Sequence, residues 1–321
     1  MLFSHIQKQA EAYGIRKHPI VRAAPTGVAA HGINGKTLHS LLKLPLDKRS
    51  FGPLTGVARA TLQVEMDGVE FLVIDEKSMI GLTMLAWVDS RLRELRPSNQ
   101  ESMFGGLNVI LVGDFAQLPP VMAKPLYYAD PLSDPFEIAG SNAYFAFNKT
   151  IRLTTVMRQQ GDAQAAFRTA LGNLRENTIT EVDWRLLATR VVGQVPTGYA
   201  GFGDAVRLYT TLDAVNGYNY RHLEGLKIDG NPFPILMVDA TGTGRDHHKV
   251  SAKDTSLERC LPLGIGARVM LSENLWQERG LINGALGTVD DIVWEEGATP
   301  RDSPLVAICI VFDGYCNDHH T

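Results

Sequence analysis

The chain has 321 residues, of which 45% are hydrophobic and 21% are charged. This balance is typical of a globular protein of about two domains and excludes a low-complexity chain. No apolar run approaches the ~20 residues of a membrane-spanning helix, so we expect no membrane partner.

Charge is distributed unevenly along the chain. The net charge is −4, which argues against a general nucleic-acid coat, but residues 1–50 hold eight Lys and Arg against two Asp and Glu. This segment therefore carries +6, and the remainder carries −10. A basic face that meets phosphates and a merely basic surface explain the pattern equally well.

The three cysteines form no metal-ligand or disulfide pattern: they are Cys260, Cys309 and Cys316. Unpaired cysteines are typical of a reducing compartment. We therefore expect a nuclear or cytoplasmic protein.

The first half of the chain alternates between strand-like and helical patterns. "HPIVRAA", "VEFLVIDE" and "LNVILVGD" predict three strands, of which the last two are apolar enough to be buried on both faces. "TMLAWVDSRLRELR" between them predicts a helix. Such alternation predicts an α/β domain with a parallel sheet.

The pattern restarts near Thr150. "DAQAAFRTALGNLREN" predicts an amphipathic helix, and "AVRLYTTLDAVNGYNYRHLEGL" a strand followed by a helix. From Cys260 the chain becomes β-like and rich in glycine, with a turn expected at Asn283-Gly284. We expect a small barrel or sheet inserted in a second α/β domain.

The tripeptide Gly35-Lys36-Thr37 matches the end of a phosphate-binding loop, G-x-x-x-x-G-K-[ST]. The first glycine of that motif would stand at position 30, where the chain has Ala30, and no strand leads directly into the tripeptide. We therefore interpret it as a chance match outside a phosphate loop.

Two carboxylates follow the second predicted strand directly. Asp75 and Glu76 would emerge at its carboxyl end, where open α/β sheets bind ligands. An aspartate at this point can hold Mg²⁺, and the neighbouring glutamate can deprotonate an attacking water. Apolar runs followed by two acids are common, so a purely structural role fits this motif alone equally well.

A second strand end strengthens the functional interpretation. "LVGDFAQLPPV" places Gly113-Asp114 after the third predicted strand, with Gln117 shortly beyond and Pro119-Pro120 fixing a rigid turn. The amide of Gln117 can donate to a γ-phosphate oxygen. A solvated glutamine in a turn is the less favoured alternative.

Four blocks occur together in one order: "APTGVAAHGINGKTLHS", "VIDEKSMI", "GDFAQLPPV" and "VMRQQGDAQAAFRTALGNLRE". With "GARVMLSENLWQERGLINGALGTV" they give the chain, from about residue 20 to 312, a resemblance to the petite-integration-frequency (PIF) DNA helicases of superfamily one. Those enzymes move 5′ to 3′ on single-stranded DNA. The resemblance implies an ATP-dependent helicase with functions in DNA repair, recombination and telomere maintenance.

The resemblance also implies a fold and its partners. It predicts two recombinase-A-like P-loop NTPase domains, the first over residues 1–150 and the second over residues 151–321. A β-barrel-like insertion would begin at about residue 260. ATP and Mg²⁺ would bind between the domains, single-stranded DNA and DNA forks would be the partners, and the protein would act as a monomer.

Roles at the nucleotide are carried over by matching position. Asp75 would ligate Mg²⁺, Glu76 would act as the base, and Gln117 would sense the γ-phosphate. Arg158, in "VMRQ" at an expected helix start, resembles a finger arginine, a group that contributes about 10³–10⁵ in rate. A surface ion pair is the alternative for Arg158.

DNA-contacting roles fall on the first block. Thr26, Gly27, Thr37 and His39 resemble residues that touch the DNA backbone, since hydroxyls and backbone amides bind phosphate without reading sequence. For His39 by itself, a packed histidine would be the favoured interpretation.

The family's phosphate loop would end at or before Met1, with "LFSHIQKQAEAYG" as the helix that follows it. A later Ser-Gln-Gly block and an arginine-bearing element are also missing before Thr321. We therefore expect an incomplete, poorly active piece of a helicase. The alternatives are a truncated protein that binds single-stranded nucleic acid without hydrolysis and, more weakly, another superfamily-one ATPase such as a conjugative relaxase helicase.

Overall fold

The structure is a computed structural model. It describes residues 12, 19–45, 50–191, 205–228, 230–232, 234–239, 260–273, 275–276, 279–295, 297, 305–313 and 315. The chain divides into two compact units, one formed by Met1–Ala146 with Asp213–Thr321 and the other by Phe147–Leu212.

A four-stranded parallel sheet organises the first unit. Its strands are β1 (Ile20–Ala24), β2 (Lys36–Thr37), β3 (Phe71–Ile74) and β4 (Asn108–Leu111), in the order β2-β1-β3-β4. β3 lies between β1 and β4 and is buried from Leu72 to Ile74, as its apolar run predicts. Because all four strands run in one direction, the chain leaves every strand at the same edge.

Five α-helices with described bounds accompany this sheet. They are α1 (Gly27–Gly32), α2 (Leu38–Leu42), α3 (Gly56–Glu65), α4 (Leu82–Leu95) and α5 (Pro135–Phe145). The polar residues before three of them cap the free amides of the first turn. Thr26 does so for α1, Thr37 for α2 and Asp134 for α5.

The core of this unit lies between the sheet and its helices. α4 presents a continuous apolar stripe, and α2 contributes three leucines. Its fully buried side chains include Leu38, Leu42, Leu62, Leu72, Ile74, Ile80, Leu82, Leu85, Val88 and Leu92. α5 packs closely on α4 at Gly140, where an added methyl group would lie 1.9 Å from the carbonyl oxygen of Leu82.

One cation lies inside this core. Arg91 is 2% exposed and forms an ion pair with Glu94 at 2.5 Å. Its guanidinium also donates to the carbonyl oxygens of Leu42 and Gly52, at 3.1 and 3.2 Å. Arg91 therefore ties α4 to α2 and to the segment before α3.

The C-terminal part of the first unit is antiparallel. After α8 (Leu212–Glu224) come the pairs β5 (Lys227–Ile228) with β6 (Asn231–Pro232), and β7 (Leu236–Asp239) with β8 (Cys260–Leu263). β9 (Arg268–Met270), β10 (Leu286–Trp294) and β11 (Leu305–Phe312) form a sheet in the order β11-β10-β9. A second apolar cluster joins these elements through Leu223, Leu263, Ala267, Val289 and Ile292.

The unit Phe147–Leu212 contains two helices among its described residues. They are α6 (Ala165–Arg175) and α7 (Glu181–Ala188), and Thr180 and Asp183 form a capping box at the start of α7. Asp183 also accepts a hydrogen bond from the Asn173 amide at 2.8 Å. Hydrogen bonds from Thr180 and Asn173 hold the pKa of the Asp183 carboxyl below its usual value.

The expected α/β chain, with a parallel sheet and a β-rich C-terminal part, is confirmed. The expected turn at Asn283-Gly284 is also present. Three local expectations are wrong. β4 was expected to be buried on both faces, but it is the last strand of the described sheet, with Asn108 exposed and the residues up to Leu111 half-buried. Residues 205–209 form no strand, because this run is exposed and pairs with no described strand. Arg158 does not start a helix: it lies in a bend, and α6 begins only at Ala165.

The domain boundary at residue 150 stays a prediction. The expected N-terminal helix and Cys316 lie outside the described residues.

Candidate functional site

Asp75 is the first residue after β3 and lies at the carboxyl edge of the sheet. Its backbone amide donates to the carbonyl of Ala23 in β1 at 2.9 Å, so the residue is held against the neighbouring strand. Its Oδ1 accepts a hydrogen bond from the amide of Glu76 at 2.9 Å. The second carboxylate oxygen can serve a cation.

Glu76 adopts a left-handed backbone conformation, with φ 52° and ψ 48°. This conformation costs a residue with a Cβ about 1–2 kcal/mol, and such strain concentrates at functional sites. The hydrogen bond to the Asp75 carboxylate holds the turn. The strain redirects the chain so that Asp75 and Glu76 follow the strand without extending it.

The ends of β3 and β4 are locked together. The amide of Lys77 donates to the carbonyl of Val112 at 2.9 Å, and the amide of Val112 donates to the carbonyl of Ile74 at 2.8 Å. Gly113 makes this approach possible: its φ is 140°, and an added methyl group would lie 2.7 Å from the Lys77 nitrogen. The glycine predicted at this strand end is therefore required by the packing.

Gln117 lies in a turn that Asp114 stabilises. The Asp114 carboxylate accepts from the amide of Ala116, and its carbonyl accepts from the amide of Gln117, both at 3.0 Å. The Gln117 side chain is exposed. It lies five residues beyond Val112, the residue that joins the ends of β3 and β4.

Sequence reasoning missed a charged group at this edge. The Lys77 ammonium lies 4.4 Å from the centroid of the Phe115 ring, a cation–π contact. Phe115 packs edge-on against Tyr127 and Tyr144, at 5.1 and 6.2 Å between centroids. Lys77 directly follows Asp75-Glu76 in sequence, and that position beside two acids was the available signal.

The acids at this edge fit a magnesium ion held jointly with phosphates. Among the described residues, no group of three or more His, Cys, Asp or Glu could hold a metal ion by itself. Mg²⁺ is commonly bound through one or two carboxylates together with substrate phosphates and water. Asp75 supplies such a carboxylate. The Ser78 hydroxyl, which is buried, has no hydrogen-bond partner within the described part of the chain.

The Gly35-Lys36-Thr37 tripeptide does not form a phosphate loop. Lys36 and Thr37 constitute β2 and pair with Ala23 and Ala24 of β1. A methyl group at Gly35 would lie 2.5 Å from the carbonyl oxygen of Arg22, so glycine is needed there for close packing. The interpretation of the tripeptide as a chance match agrees with this geometry.

The residues expected at DNA lie on the same edge, at the ends of β1 and β2. The Thr26 hydroxyl accepts the amide of Ala29 at 3.3 Å, and the Thr37 hydroxyl accepts that of Ser40 at 3.2 Å. Each hydroxyl keeps its own hydrogen to donate to a phosphate oxygen. Gly27 begins α1 directly after Thr26.

His39 lies in the first turn of α2 and is half-buried. Burial lowers the pKa of its imidazole below the ordinary value of 6.5. His39 is therefore neutral at pH 7, so it could offer a phosphate a hydrogen bond but not a positive charge.

Arg158 belongs to the unit Phe147–Leu212 and is exposed. The turn that follows it is held from α6, because Arg168 donates to the carbonyls of Gln159 and Gly161 at 2.9 and 2.7 Å. Its approach to Asp75 and Glu76 stays a prediction.

None of the described helices combines the length and the apolar character required to span a bilayer.

Comparison with known proteins agrees with this architecture. The model of the family described as PIF1-like helicase matches residues 2–182, and that of the DNA helicase Pif1 2B domain matches residues 255–292. "ATP-dependent DNA helicase PIF1" of Candida albicans is 31% identical over 288 residues, which are 86% of this chain and 30% of that protein. The human protein of the same name is 30% identical over 272 residues, 84% of this chain and 39% of the relative.

Solved structures show the same fold. The crystal structure of Pif1 helicase from Candida albicans has a TM-score of 0.66 at 24% identity and covers 97% of this chain and 67% of that one. Pif1 helicase from Bacteroides, in complex with ADP-AlF3 and single-stranded DNA, has a TM-score of 0.60 at 24% identity, with coverages of 97% and 66%. The chain spans 30% to 39% of the two curated relatives named above. The fold is the recombinase-A-like fold of these helicases, as expected.

Proposed function

The chain belongs to the PIF1-like helicase family, and from this premise we propose that it forms part of an ATP-dependent DNA helicase that moves 5′ to 3′ along single-stranded DNA. The first unit would supply the acids that act on ATP and one part of the track for DNA. Relatives named as ATP-dependent DNA helicases support the activity. The direction of movement rests on the resemblance of the motifs.

One observation carries the proposal. Asp75, Glu76 and the Gln117 turn leave the parallel sheet at the same edge as Thr26 and Thr37. In the order β2-β1-β3-β4, the residues proposed for DNA lie at the carboxyl ends of β1 and β2, and those proposed for the nucleotide follow β3 and β4. Ligands of open α/β sheets bind at this edge, so a single rigid sheet would connect ATP with DNA.

Glu76 is proposed as the general base. Its carboxylate would accept a proton from the water that attacks the γ-phosphate. The left-handed backbone of Glu76 fixes the point from which this side chain extends. Asp75 would hold Mg²⁺, which neutralises phosphate charge when it is bound. The Gln117 amide would donate to a γ-phosphate oxygen. The segments that carry Gln117 and Glu76 are joined by the backbone hydrogen bonds between the ends of β3 and β4.

Arg158 is proposed as the arginine finger. Its exposure and the turn held by Arg168 support a guanidinium that is presented to a partner surface. A planar, permanently charged group suits a departing phosphate. The proposal includes two domains meeting near residue 150, with ATP between them.

The DNA-binding part of the proposal rests on Thr26, Gly27, Thr37 and His39. Their hydroxyl and amide donors suit a backbone contact that ignores sequence, which a translocating motor requires. DNA forks as substrates and a monomeric state belong to this proposal. A nuclear or cytoplasmic location is also proposed, and the free thiols of Cys260 and Cys309 support it.

We further propose that residues 1–321 by themselves hydrolyse ATP poorly. Their sequence contains no G-x-x-x-x-G-K-[ST], the motif whose amides and lysine hold the phosphates. Single-stranded DNA binding without turnover is then the expected behaviour of this stretch in isolation.

The deciding experiment measures ATP hydrolysis with saturating single-stranded DNA in the complete gene product. Glu76→Gln should reduce turnover from the ~10 s⁻¹ typical of enzymes to background and leave ATP binding intact. Unchanged turnover in this variant would remove Glu76 from the base role. Absence of DNA-stimulated hydrolysis in the unaltered protein would overturn the helicase proposal.

Binding of the 321-residue chain to DNA tests the second half of the proposal. For Z phosphate contacts the affinity should fall with salt at a logarithmic slope of roughly −0.7Z. Lys36→Glu, on β2 beside Thr37, should weaken binding and make the slope shallower. Lys149→Glu is the matched control, an exposed lysine of the other unit; equal effects of both would mean that DNA does not follow β2.

A further inference from the structure

Trp276 and Leu281 pair in a hairpin between β9 and β10. The amide of Trp276 donates to the carbonyl of Leu281 at 2.9 Å, and the amide of Leu281 donates back to Trp276 at 3.0 Å. The amide of Arg279 donates to the carbonyl of Trp276 at 3.2 Å.

The hairpin lies against α1, the helix that follows Thr26. A methyl group at Gly280 would lie 3.5 Å from Cε1 of His31, and one at Gly284 would lie 2.6 Å from Cγ2 of Val28. Ile282, 6% exposed, helps to line a cavity of about 20 Å³. The other residues of that cavity are Gly27, Ala30, His31, Gly35 and Thr37. The hairpin therefore borders the residues proposed to touch the DNA backbone.

Trp276 is an unusual residue to find at this place. Its side chain is 49% exposed, although tryptophan gains more than most residues from burial. The Arg279 guanidinium lies 5.4 Å from its ring centroid, within cation–π range. Aromatic rings and arginine planes are the groups on which proteins stack unpaired bases.

We propose that Trp276, with Arg279, is a base-stacking platform for single-stranded DNA. This inference rests on the proposed function. The strand's phosphates would pass Thr26, Gly27 and Thr37, and a base from the same strand would stack on the Trp276 indole. Stacking is tolerant of sequence because every base has a π-face, so the platform suits a motor that must pass over any sequence.

A strand with bases and a strand without bases distinguish a contact to a base from a contact to a phosphate. The probes are an oligothymidylate and an abasic strand of equal length, each bound to the 321-residue chain and measured by fluorescence anisotropy at several salt concentrations. Trp276→Ala should weaken oligothymidylate binding about tenfold or more, the loss of roughly one stacked base. Its salt slope should not change, because no phosphate contact is lost.

Two further variants make the result specific. Trp276→Phe keeps an aromatic face and should retain most of the affinity. Trp184→Ala removes a 64% exposed tryptophan of the other unit and should change nothing. The abasic strand should bind the unaltered chain and Trp276→Ala equally.

The outcomes distinguish the two proposals. Oligothymidylate binding that is equal in Trp276→Ala and the unaltered chain would overturn the platform and leave the proposed function standing. An equal loss on both strands would also overturn it, since the missing contact would then not be to a base. If the unaltered chain binds neither strand at low salt, the platform and the proposed DNA track both fail.

Discussion

The backbone amide of Lys77 donates a hydrogen bond to the carbonyl of Val112 at 2.9 Å, which joins the segment that carries Glu76 to the segment that leads to Gln117. The proposed base, Glu76, and the proposed γ-phosphate sensor, Gln117, therefore both extend from the junction where this hydrogen bond joins the ends of β3 and β4. Gly113 fills the junction so closely that a methyl group would lie 2.7 Å from the Lys77 nitrogen. Any change that separates the two strand ends should disturb both groups together.

Gly113→Ala should lower DNA-stimulated ATP hydrolysis in the complete gene product by about 100-fold, the cost of roughly 1 Å of misplacement at a reacting centre. The added methyl group meets backbone and cannot be relieved by a side-chain rotation. The matched control is Gly172→Ala in α6, where a methyl group meets nothing within 4 Å. It should leave hydrolysis unchanged and stabilise the helix by about 0.5–1 kcal/mol. Equal activity of the two variants would contradict the role given to the junction.

Glu76→Gly should make the protein more stable and inactive at the same time. Glycine adopts the left-handed conformation of position 76 without the cost of about 1–2 kcal/mol that a Cβ carries. Glu76→Gln keeps that cost and should not change the free energy of unfolding. Denaturant titration of both variants, with hydrolysis measured alongside, checks the prediction; a Glu76→Gly variant less stable than the Gln variant would show that the turn is not strained.

Arg91→Ala should destabilise the protein by about 3–5 kcal/mol, because it leaves Glu94 without its buried partner and removes the donors to Leu42 and Gly52. The comparison variant is Arg185→Ala, which breaks an exposed pair with Glu181 of 2.6 Å. Exposed pairs contribute about 0.2–1 kcal/mol. Similar losses in the two variants, measured by denaturant unfolding, would show that burial of Arg91 adds nothing.

Stability should fall as the pH is lowered from 7 towards 5, in part through His39. Burial holds the pKa of its imidazole below 6.5 in the folded chain, so between 6.5 and that lower value the unfolded chain binds more protons. Above pH 6.5 both states are neutral at this residue and it contributes no pH dependence. His39→Gln should remove this part of the slope, and an unchanged slope in that variant would assign the effect to other groups.

The parallel sheet and the position of the acids after β3 were readable from the sequence because each depends on a local pattern. A run of four apolar residues followed by acids fixes β3, and the step from apolar to polar fixes where Asp75 and Glu76 emerge. The same logic placed Gln117 after β4. By contrast, residues 205–209 have a strand-like composition and form no strand, because a strand requires a partner.

Other features depend on contacts between segments far apart in sequence. Nothing local identifies Lys77 as a cation above the Phe115 ring, 38 residues further along the chain. The glycine-rich sequence around Trp276 also does not indicate that its hairpin lies against α1, about 250 residues earlier. These pairings are fixed by the folded chain and leave no periodic signal.

The sequence by itself determined the α/β class, the family and the identity of the acids that follow β3. The class and the acids could be read because apolar periodicity and the end of a strand are local patterns, each visible within a few neighbouring residues. Only the tertiary structure decided which strand ends meet, that Glu76 is strained, that Gly113 must be a glycine, and that the hairpin carrying Trp276 borders the proposed DNA track. The physical reason is that these properties belong to packing between segments: the available space, the shared hydrogen bonds and the burial of a side chain exist only once distant residues are in contact.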